Sequence, residues 1–463
     1  MNNPAESPFA AECEAFWARH PAVDGVELLL PDTNAVLRGK WLAGDARSSL
    51  VQGRVKLPRS VFAIDVWGGE VVESRLIFET GDRDGVCMAI PGTLKPVPWR
   101  TDGAQVLLTM VEASGEPFFG DPRQQLGAAV ARLRARGLAP VVAMELEFYL
   151  VDVAHGVPRP PVAPGGERRE APQLYGIDEL RAFDDFFAAL RRACRCQDLP
   201  LDALVAEYSP GQYEVNLHHV KDPLLAADQL VMLKRAVRET ARSFGLAATF
   251  MAKPYGGEAG SGLHVHVSLM DRGGVNALAR EEVVPPGALA SEVRLGPLLR
   301  HAVGGLLASM GDAMALFAPH ANSYRRFQAH TLAPLAPTWG YDNRTAAVRI
   351  PACGAEARRL EHRVAGADAN PYLVLAAILG GIEWGLERAV EPPPAVVGDG
   401  YLCGHGLPRT WEAALEAFEQ SAFIAETFGV PYRHLFHACK RQELDLLSRR
   451  VSDVEYASYL QVV

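Results

Sequence analysis

Apolar positions fall into two rhythms along this chain. Short apolar runs at 26–30, 36–41, 61–66 and 71–78, the first two parted by the turn Pro31-Asp32-Thr33-Asn34, predict strands and a small β-rich N-terminal unit. Beyond residue 114 the spacing lengthens. Leu126, Val130 and Leu133 share one helical face after Asp121-Pro122, with Gly137 placed to cap the C-terminal end. Leu180, Phe183, Phe187 and Leu190 mark another helix. Asp222-Pro223 and Asn370-Pro371 each put a capping side chain before a proline at the first helical position. The expected fold class is α+β, with a small N-terminal domain over 1–113 and a larger unit over 114–463.

Four segments of the larger unit alternate strictly, so each strand has two unlike faces. In 141–150, Val142, Met144, Leu146, Phe148 and Leu150 oppose Glu145 and Glu147. In 263–269, Leu263, Val265, Val267 and Leu269 oppose His264, His266 and Ser268. In 212–218, Tyr213, Val215 and Leu217 oppose Glu214, Asn216 and His218, and in 359–364 Glu361 shares a face with Arg363. A half-solvated antiparallel sheet would give the same alternation. A solvated face, however, normally mixes Lys, Thr and Arg with Glu. The repeated choice of carboxylate and imidazole, with Glu207 seven residues before Glu214, reads as a curved sheet lining a cavity for hard cations. Such a donor set suits Mg²⁺ or Mn²⁺ better than Zn²⁺, and five glutamates call for two ions.

Composition narrows the setting. At 463 residues the chain exceeds what one core usually holds. With 49% hydrophobic and 22% charged residues and a formal charge of −9, nucleic acid and anionic membrane are poor partners. Residues 1–21 carry Glu6, Glu12 and Glu14 and no secretory apolar core, and the longest apolar helix, from Pro371 onward, is interrupted by Glu383, Glu387 and Arg388. The expectation is a cytoplasmic protein that does not cross a membrane. Seven scattered cysteines without zinc-like spacing read as incidental thiols in a reduced compartment. Pro/Gly-rich stretches at 156–172, 272–287 and 392–408 read as long surface loops, a class more often functional than accidental.

The second half adds cations: Arg325, Arg326, Arg344, Arg349, Arg358, Arg359 and Arg363. Singly, each is explained by a surface ion pair. Together, beside a two-metal site, guanidinium groups that grip phosphate bidentately point to phosphoryl transfer.

Six segments then resemble glutamine synthetases in that family's order, across nearly the whole chain: Met144-Glu-Leu-Glu-Phe148, Gly211-Gln-Tyr-Glu-Val215, Met251-Ala-Lys-Pro-Tyr255 running into Gly260-Ser-Gly-Leu-His-Val-His266, Asn322-Ser-Tyr-Arg-Arg326, Asn343-Arg-Thr-Ala-Ala-Val-Arg-Ile-Pro351, and Arg358-Arg-Leu-Glu-His-Arg363. The resemblance implies a β-grasp N-terminal domain, and two stacked hexameric rings with active sites between neighbouring subunits. Carried over by position, Glu147, Glu207 and Glu214 would hold the metal nearer the amino acid, and Glu145, His264 and Glu361 the metal on the nucleotide phosphates. His266, Ser268 and Arg359 would contact nucleotide, Arg344 and Arg349 phosphate, and Arg326 and Arg363 the glutamate carboxylates, with Gly260 admitting close approach of the backbone. The implied reaction phosphorylates the glutamate γ-carboxylate with ATP and lets an amine open the acyl phosphate. Asp65 lies where the family places an acid that takes the amine's proton; a purely structural role for it is equally open.

Departures from the family pattern carry the specificity. Ammonia-using members place a glutamate on a flap shortly after the Asn-Ser-Tyr-x-Arg motif, where this chain has Leu332, which can pack against the hydrocarbon part of a larger amine. The wording Ala-Lys-Pro-Tyr…Ala-Gly-Ser-Gly-Leu-His is closer to γ-glutamylpolyamine synthetases. The expected activity is therefore ligation of glutamate to an alkylamine such as a polyamine. An ordinary glutamine synthetase, ligation of ethanolamine or another amine, and a non-catalytic ring protein are the alternatives. The last predicts gaps among the six metal positions, and none is missing. Ala259 replaces an asparagine that contacts the amino acid, and Tyr401 sits outside the context of the adenylylated tyrosine of some bacterial enzymes.

Overall fold

A computed structural model describes residues 8–44, 47–154, 156, 158–163, 166, 173–280, 294–404 and 406–463. Parts of the expected loops at 156–172 and 272–287, and the first residues of the leader reading, lie outside these.

The chain is a two-domain α+β protein built on two sheets. The smaller has six strands: β1 (Gly25–Pro31), β2 (Leu37–Ala43), β3 (Lys56–Pro58), β4 (Asp84–Ala89), β5 (Lys95–Pro96) and β6 (Gly103–Val111). Their order is β2-β1-β6-β4-β3, with β5 on β6, and β1 and β6 run parallel while the other pairs are antiparallel. This is the β-grasp domain expected from the resemblance, with the helix Pro8–Arg19 placing Phe9, Cys13 and Phe16 in its core.

Two expected strands are absent. Residues 61–66 and 71–78 form the 3-10 turns Arg59–Phe62 and Val72–Ser74, joined by a single bridge between Ile64 and Glu70. The cause is local: Asp65 captures the Trp67 and Gly69 amides at 2.9 and 2.8 Å, closing a tight loop where a ladder would need free amides. In their place the domain uses β4 and β6. Eight of nine β6 residues are buried, so that strand shows none of the alternation that reveals a half-buried one.

The larger sheet holds β7 (Ala139–Val151), β8 (Leu201–Ala206), β9 (Gln212–Leu217), β10 (Ala247–Thr249), β11 (Leu263–Met270), β12 (Trp339–Tyr341), β13 (Val348–Ile350) and β14 (Leu360–His362). The order is β12-β13-β14-β11-β7-β9-β8, with β10 on the end of β7, antiparallel except for β12 and β13. Its apolar face shares the main core with the helices Pro122–Ala135, Pro223–Ser243, Pro297–Met310 and Pro371–Arg388. The expected caps are in place: Asp121, Asp222 and Asn370 accept from the amides of Arg123, Leu224 and Tyr372 at 2.8, 3.1 and 3.0 Å. The expected 180–190 helix is two, Ile177–Arg181 and Asp184–Cys196.

The small core is completed from the far end of the chain. The helix Val430–Ser448 contributes Leu435, Ala438 and Cys439 to it. All seven cysteines are free thiols, and no helix among the described residues is long and apolar enough to cross a membrane.

Candidate active site

Strand β7 is the spine of the site, and pairing registers set three cross-strand rows on its polar face, because residues directly opposite in an antiparallel pair point the same way. Glu147 stands opposite Glu214 of β9. Glu145 stands between Asn216 of β9 and His264 of β11. His266 of β11 faces Glu361 of β14, and Arg349 of β13 extends that row beyond Glu361. The opposite face of β7 puts Met144, Leu146 and Phe148 in the main core, which fixes the register against slippage.

Within the rows, acids and imidazoles touch. His266 Nε2 lies 2.9 Å from Glu145 Oε1, and His264 Nδ1 lies 3.4 Å from Glu145 Oε2. Ligand atoms of Glu145, Glu214 and His264 all fall within 4.8 Å of one another, as do those of Glu145, His266 and Glu361. These two groups share Glu145 and draw in His266, which the family pattern assigns to nucleotide, while Glu147 and Glu207 stand beside them.

The electrostatics fit a site for dications. Burial, with repulsion from Glu147 and Glu145, pushes the Glu214 carboxyl up to about 9; burial and Glu147 push Glu207 up to about 7, with Arg344 pulling the other way. Burial also opposes the charge on Glu145, but hydrogen bonds to His264 and His266 outweigh it and hold that carboxyl well below the usual range. Glu361 is buried as well, and Arg363, then His264 and His266, hold it down to about 2. Buried and half-buried carboxylates that repel one another, with imidazoles alongside, make an oxygen-rich donor set of the kind hard cations neutralise.

The arginines ring this cluster. Arg349 Nη1 donates to Glu361 Oε2 at 2.8 Å and its Nε and Nη2 to Asp342, and Arg363 pairs with Glu361. Arg359 Nε approaches His266 Nδ1 at 3.3 Å, and Ser268 Oγ donates to the Arg358 carbonyl at 2.9 Å. Arg326 is buried, with Nη1 donating to the Val364 carbonyl at 2.8 Å. Gly260 and Gly262 lie against it: an added Cβ would meet Arg326 Cγ at 2.6 Å and Arg326 Nη2 at 2.8 Å respectively. Arg344 is exposed.

Two expected residues stand apart from the cluster. Asp65 is buried in the small domain, where Trp67, Gly69 and the Gln442 side chain occupy its oxygens. Leu332 is 50% exposed on a loop where it and His330 both adopt left-handed backbone (φ 57° and 62°). The Tyr401 ring packs 5.2 Å from that of His330, so the loop rests on it.

Tyr149, Ser209, Gln212 and Gly262 escaped the reading of the sequence. Their hydrogen bonds run to Glu147 and to the backbone of 259–262. The signal was present in the same period of two: Tyr149 follows Glu147, and Gln212 precedes Glu214, on the polar face.

Known proteins resemble this chain over nearly its whole length. Residues 119–459 match the catalytic domain of glutamine synthetase. The chain is 40% identical over 456 residues to γ-glutamylputrescine synthetase PuuA of Escherichia coli K12, covering 97% of this chain and 94% of that one. It is 30% identical over 450 residues to a glutamate–isopropylamine ligase of a Pseudomonas species, covering 95% and 96%. The solved ADP complex of GmaS superposes with a TM-score of 0.81 at 26% identity, over 96% of this chain and 99% of that one.

Proposed function

This chain belongs to the glutamine synthetase family and is an ATP-dependent glutamate–amine ligase, and from that premise we propose that its acceptor is a polyamine. The observation that carries the reading is 40% identity over nearly the full length to a γ-glutamylputrescine synthetase. Leucine at 332 agrees with it, since an aliphatic side chain neither holds ammonium nor takes its proton but packs on a methylene chain.

In this reading Glu147, Glu207 and Glu214 face one Mg²⁺ or Mn²⁺ and Glu145, His264 and Glu361 the other; the bound ions would neutralise phosphate charge and polarise the γ-phosphoryl group. The chain's own work is positioning. Arg326 and Arg363 grip the glutamate carboxylates, His266, Ser268 and Arg359 orient the nucleotide, and Arg344 and Arg349 stabilise charge on the transferring phosphoryl group. The γ-carboxylate attacks phosphorus, ADP leaves, and the amine displaces phosphate from the γ-glutamyl phosphate. In a dodecamer of two hexameric rings Asp65 of a neighbouring subunit takes the amine's proton, its Oδ2 exchanging Gln442 for the amine while Oδ1 keeps the Trp67 and Gly69 amides. We place the domain boundary between residues 113 and 114 and the protein in the cytoplasm.

A smaller alkylamine is the second reading, favoured by the similarity to an isopropylamine ligase. Phosphate release from ATP with glutamate and Mg²⁺ or Mn²⁺, comparing putrescine, spermidine, isopropylamine, ethanolamine and ammonium with products weighed by mass spectrometry, decides between them. Fast turnover with a polyamine is expected; ammonium as best substrate would return the chain to ordinary glutamine synthesis.

A further inference from the structure

Ala259 offers no polar side chain, yet both of its backbone groups are held by side chains. Its N–H donates to Ser209 Oγ at 2.9 Å, and its carbonyl accepts from the Tyr149 hydroxyl at 2.7 Å. The next carbonyl, Gly260 O, accepts from Gln212 Nε2 at 3.0 Å. Tyr149, Gln212 and Ser209 are themselves buried, at 0%, 2% and 3% exposure. They also bond one another: the Tyr149 hydroxyl and the Ser209 amide both approach Gln212 Oε1 at 3.3 Å. Such a closed set of buried donors and acceptors has one low-energy arrangement, since any rotation leaves a polar atom unpaired.

The same set reaches the metal side of the site. Gln212 Nε2 lies 3.3 Å from Glu147 Oε2, and the Gly262 amide donates to that oxygen at 2.8 Å. Among the described residues no hydrogen bond is made to Glu147 Oε1. One carboxylate oxygen is therefore tied to the 259–262 segment and the other is left available, which is how a supporting shell orients a ligand. Register explains the economy. Tyr149 pairs with Gln212 and Glu147 with Glu214, so two adjacent rows of β7 and β9 build the clamp and the acid cluster together.

We propose that Tyr149, Gln212 and Ser209 are positioning residues that lock the glutamate-binding segment 259–262 to the metal-site carboxylate Glu147. They supply through the backbone the order that an alanine at 259 cannot supply through its side chain. Substrate glutamate and the ion beside Glu147 are thereby coupled: a change in the clamp weakens both, while the nucleotide side, which takes only Glu145 from β7 and otherwise rests on β11, β13 and β14, makes no hydrogen bond to the clamp among the described residues.

Tyr149→Phe removes one oxygen and keeps the ring against Tyr255, 5.4 Å away. The expected result in the full-length enzyme is a rise in the KM for glutamate of about five- to tenfold. The Mn²⁺ concentration for half-maximal rate should rise with it, while the KM for ATP and kcat at saturation stay within about twofold. Ser209→Ala should shift the same two quantities, and Ser209→Thr, which keeps a hydroxyl, should restore them. An unchanged glutamate KM in both Tyr149→Phe and Ser209→Ala overturns the proposal. So does an equal rise in every KM accompanied by a lower melting temperature, the mark of a merely structural role. The proposal rests on glutamate being the substrate: an unaltered enzyme whose turnover ignores glutamate overturns both readings, whereas glutamate-dependent turnover with unaffected variants overturns this one alone.

Discussion

Glu207 and Glu214 hold their protons in the folded chain well above the pH at which an unfolded glutamate loses its own. From the ordinary value of 4.5 up to about 9, the folded state binds more protons than the unfolded state at these two positions. Their contribution to stability therefore falls as pH rises through that window. The metal-stripped protein should melt at progressively lower temperature between about pH 5 and pH 9. Excess Mg²⁺ or Mn²⁺ should raise the melting temperature more at about pH 8 than at about pH 6, because binding needs the deprotonated carboxylates. Scanning calorimetry with and without metal reads both slopes. Glu214→Ala removes a metal-facing carboxyl that the metal-free fold keeps protonated, so amine-dependent ATP hydrolysis should vanish while the metal-free melting temperature holds or rises. Normal turnover would strike Glu214 from the ligands. Leu332→Glu should weaken alkylamine turnover and admit ammonium, and unmoved preferences in a competition assay would show that this flap does not meet the amine.

At the scale of elements, the catalytic sheet was legible because it is half polar. Glu145, Glu147, Glu214, His264, His266 and Glu361 surfaced from alternation alone, since a strand with an apolar back must aim every second residue at the cavity. Strand β6 was not, because burial on both faces erases that period. The 61–66 and 71–78 segments misled for the opposite reason: their apolar residues are buried, but Asp65 diverts the amides into a loop. Tyr149 and Gln212 stayed hidden because an aromatic and an amide beside carboxylates look like neither ligand nor core. Helix starts were the most readable feature, and one is more than local. Asn370 caps Pro371–Arg388 through Oδ1, while its Nδ2 donates to the Asp32 and Thr33 carbonyls at 3.0 and 3.2 Å, joining the two domains. Asn370→Ala should cost about 2 kcal/mol in urea unfolding, a lost cap plus the Thr33 carbonyl left without a donor, since the Asp32 carbonyl keeps the Ala35 amide. A loss under about 1 kcal/mol would mean that water replaces the amide.

Across the whole molecule, segments 409 residues apart in sequence meet. Lys440 and Glu443, both essentially inaccessible, pair at 3.0 Å on the helix Val430–Ser448. Glu443 Oε1 also accepts from Asn34 Nδ2 and the Val66 amide, each at 2.9 Å, pinning two turns of the small domain. Lys440→Met strands a buried carboxylate and should cost about 3–5 kcal/mol, whereas Lys440→Met with Glu443→Gln should recover much of it. Equal losses in the single and double variants would show that packing rather than charge is at stake. The placement of Leu435, Ala438 and Cys439 in the N-terminal core also sets a timetable for biosynthesis. Roughly 330 residues separate the end of β6 from Cys439, and at ~5–20 residues per second a ribosome needs about 15 to 65 s to add them. For that interval the nascent N-terminal sheet waits with its seam open, a client for whatever chaperone shields apolar surface at the ribosome, and it closes only once the helix Val430–Ser448 has been made.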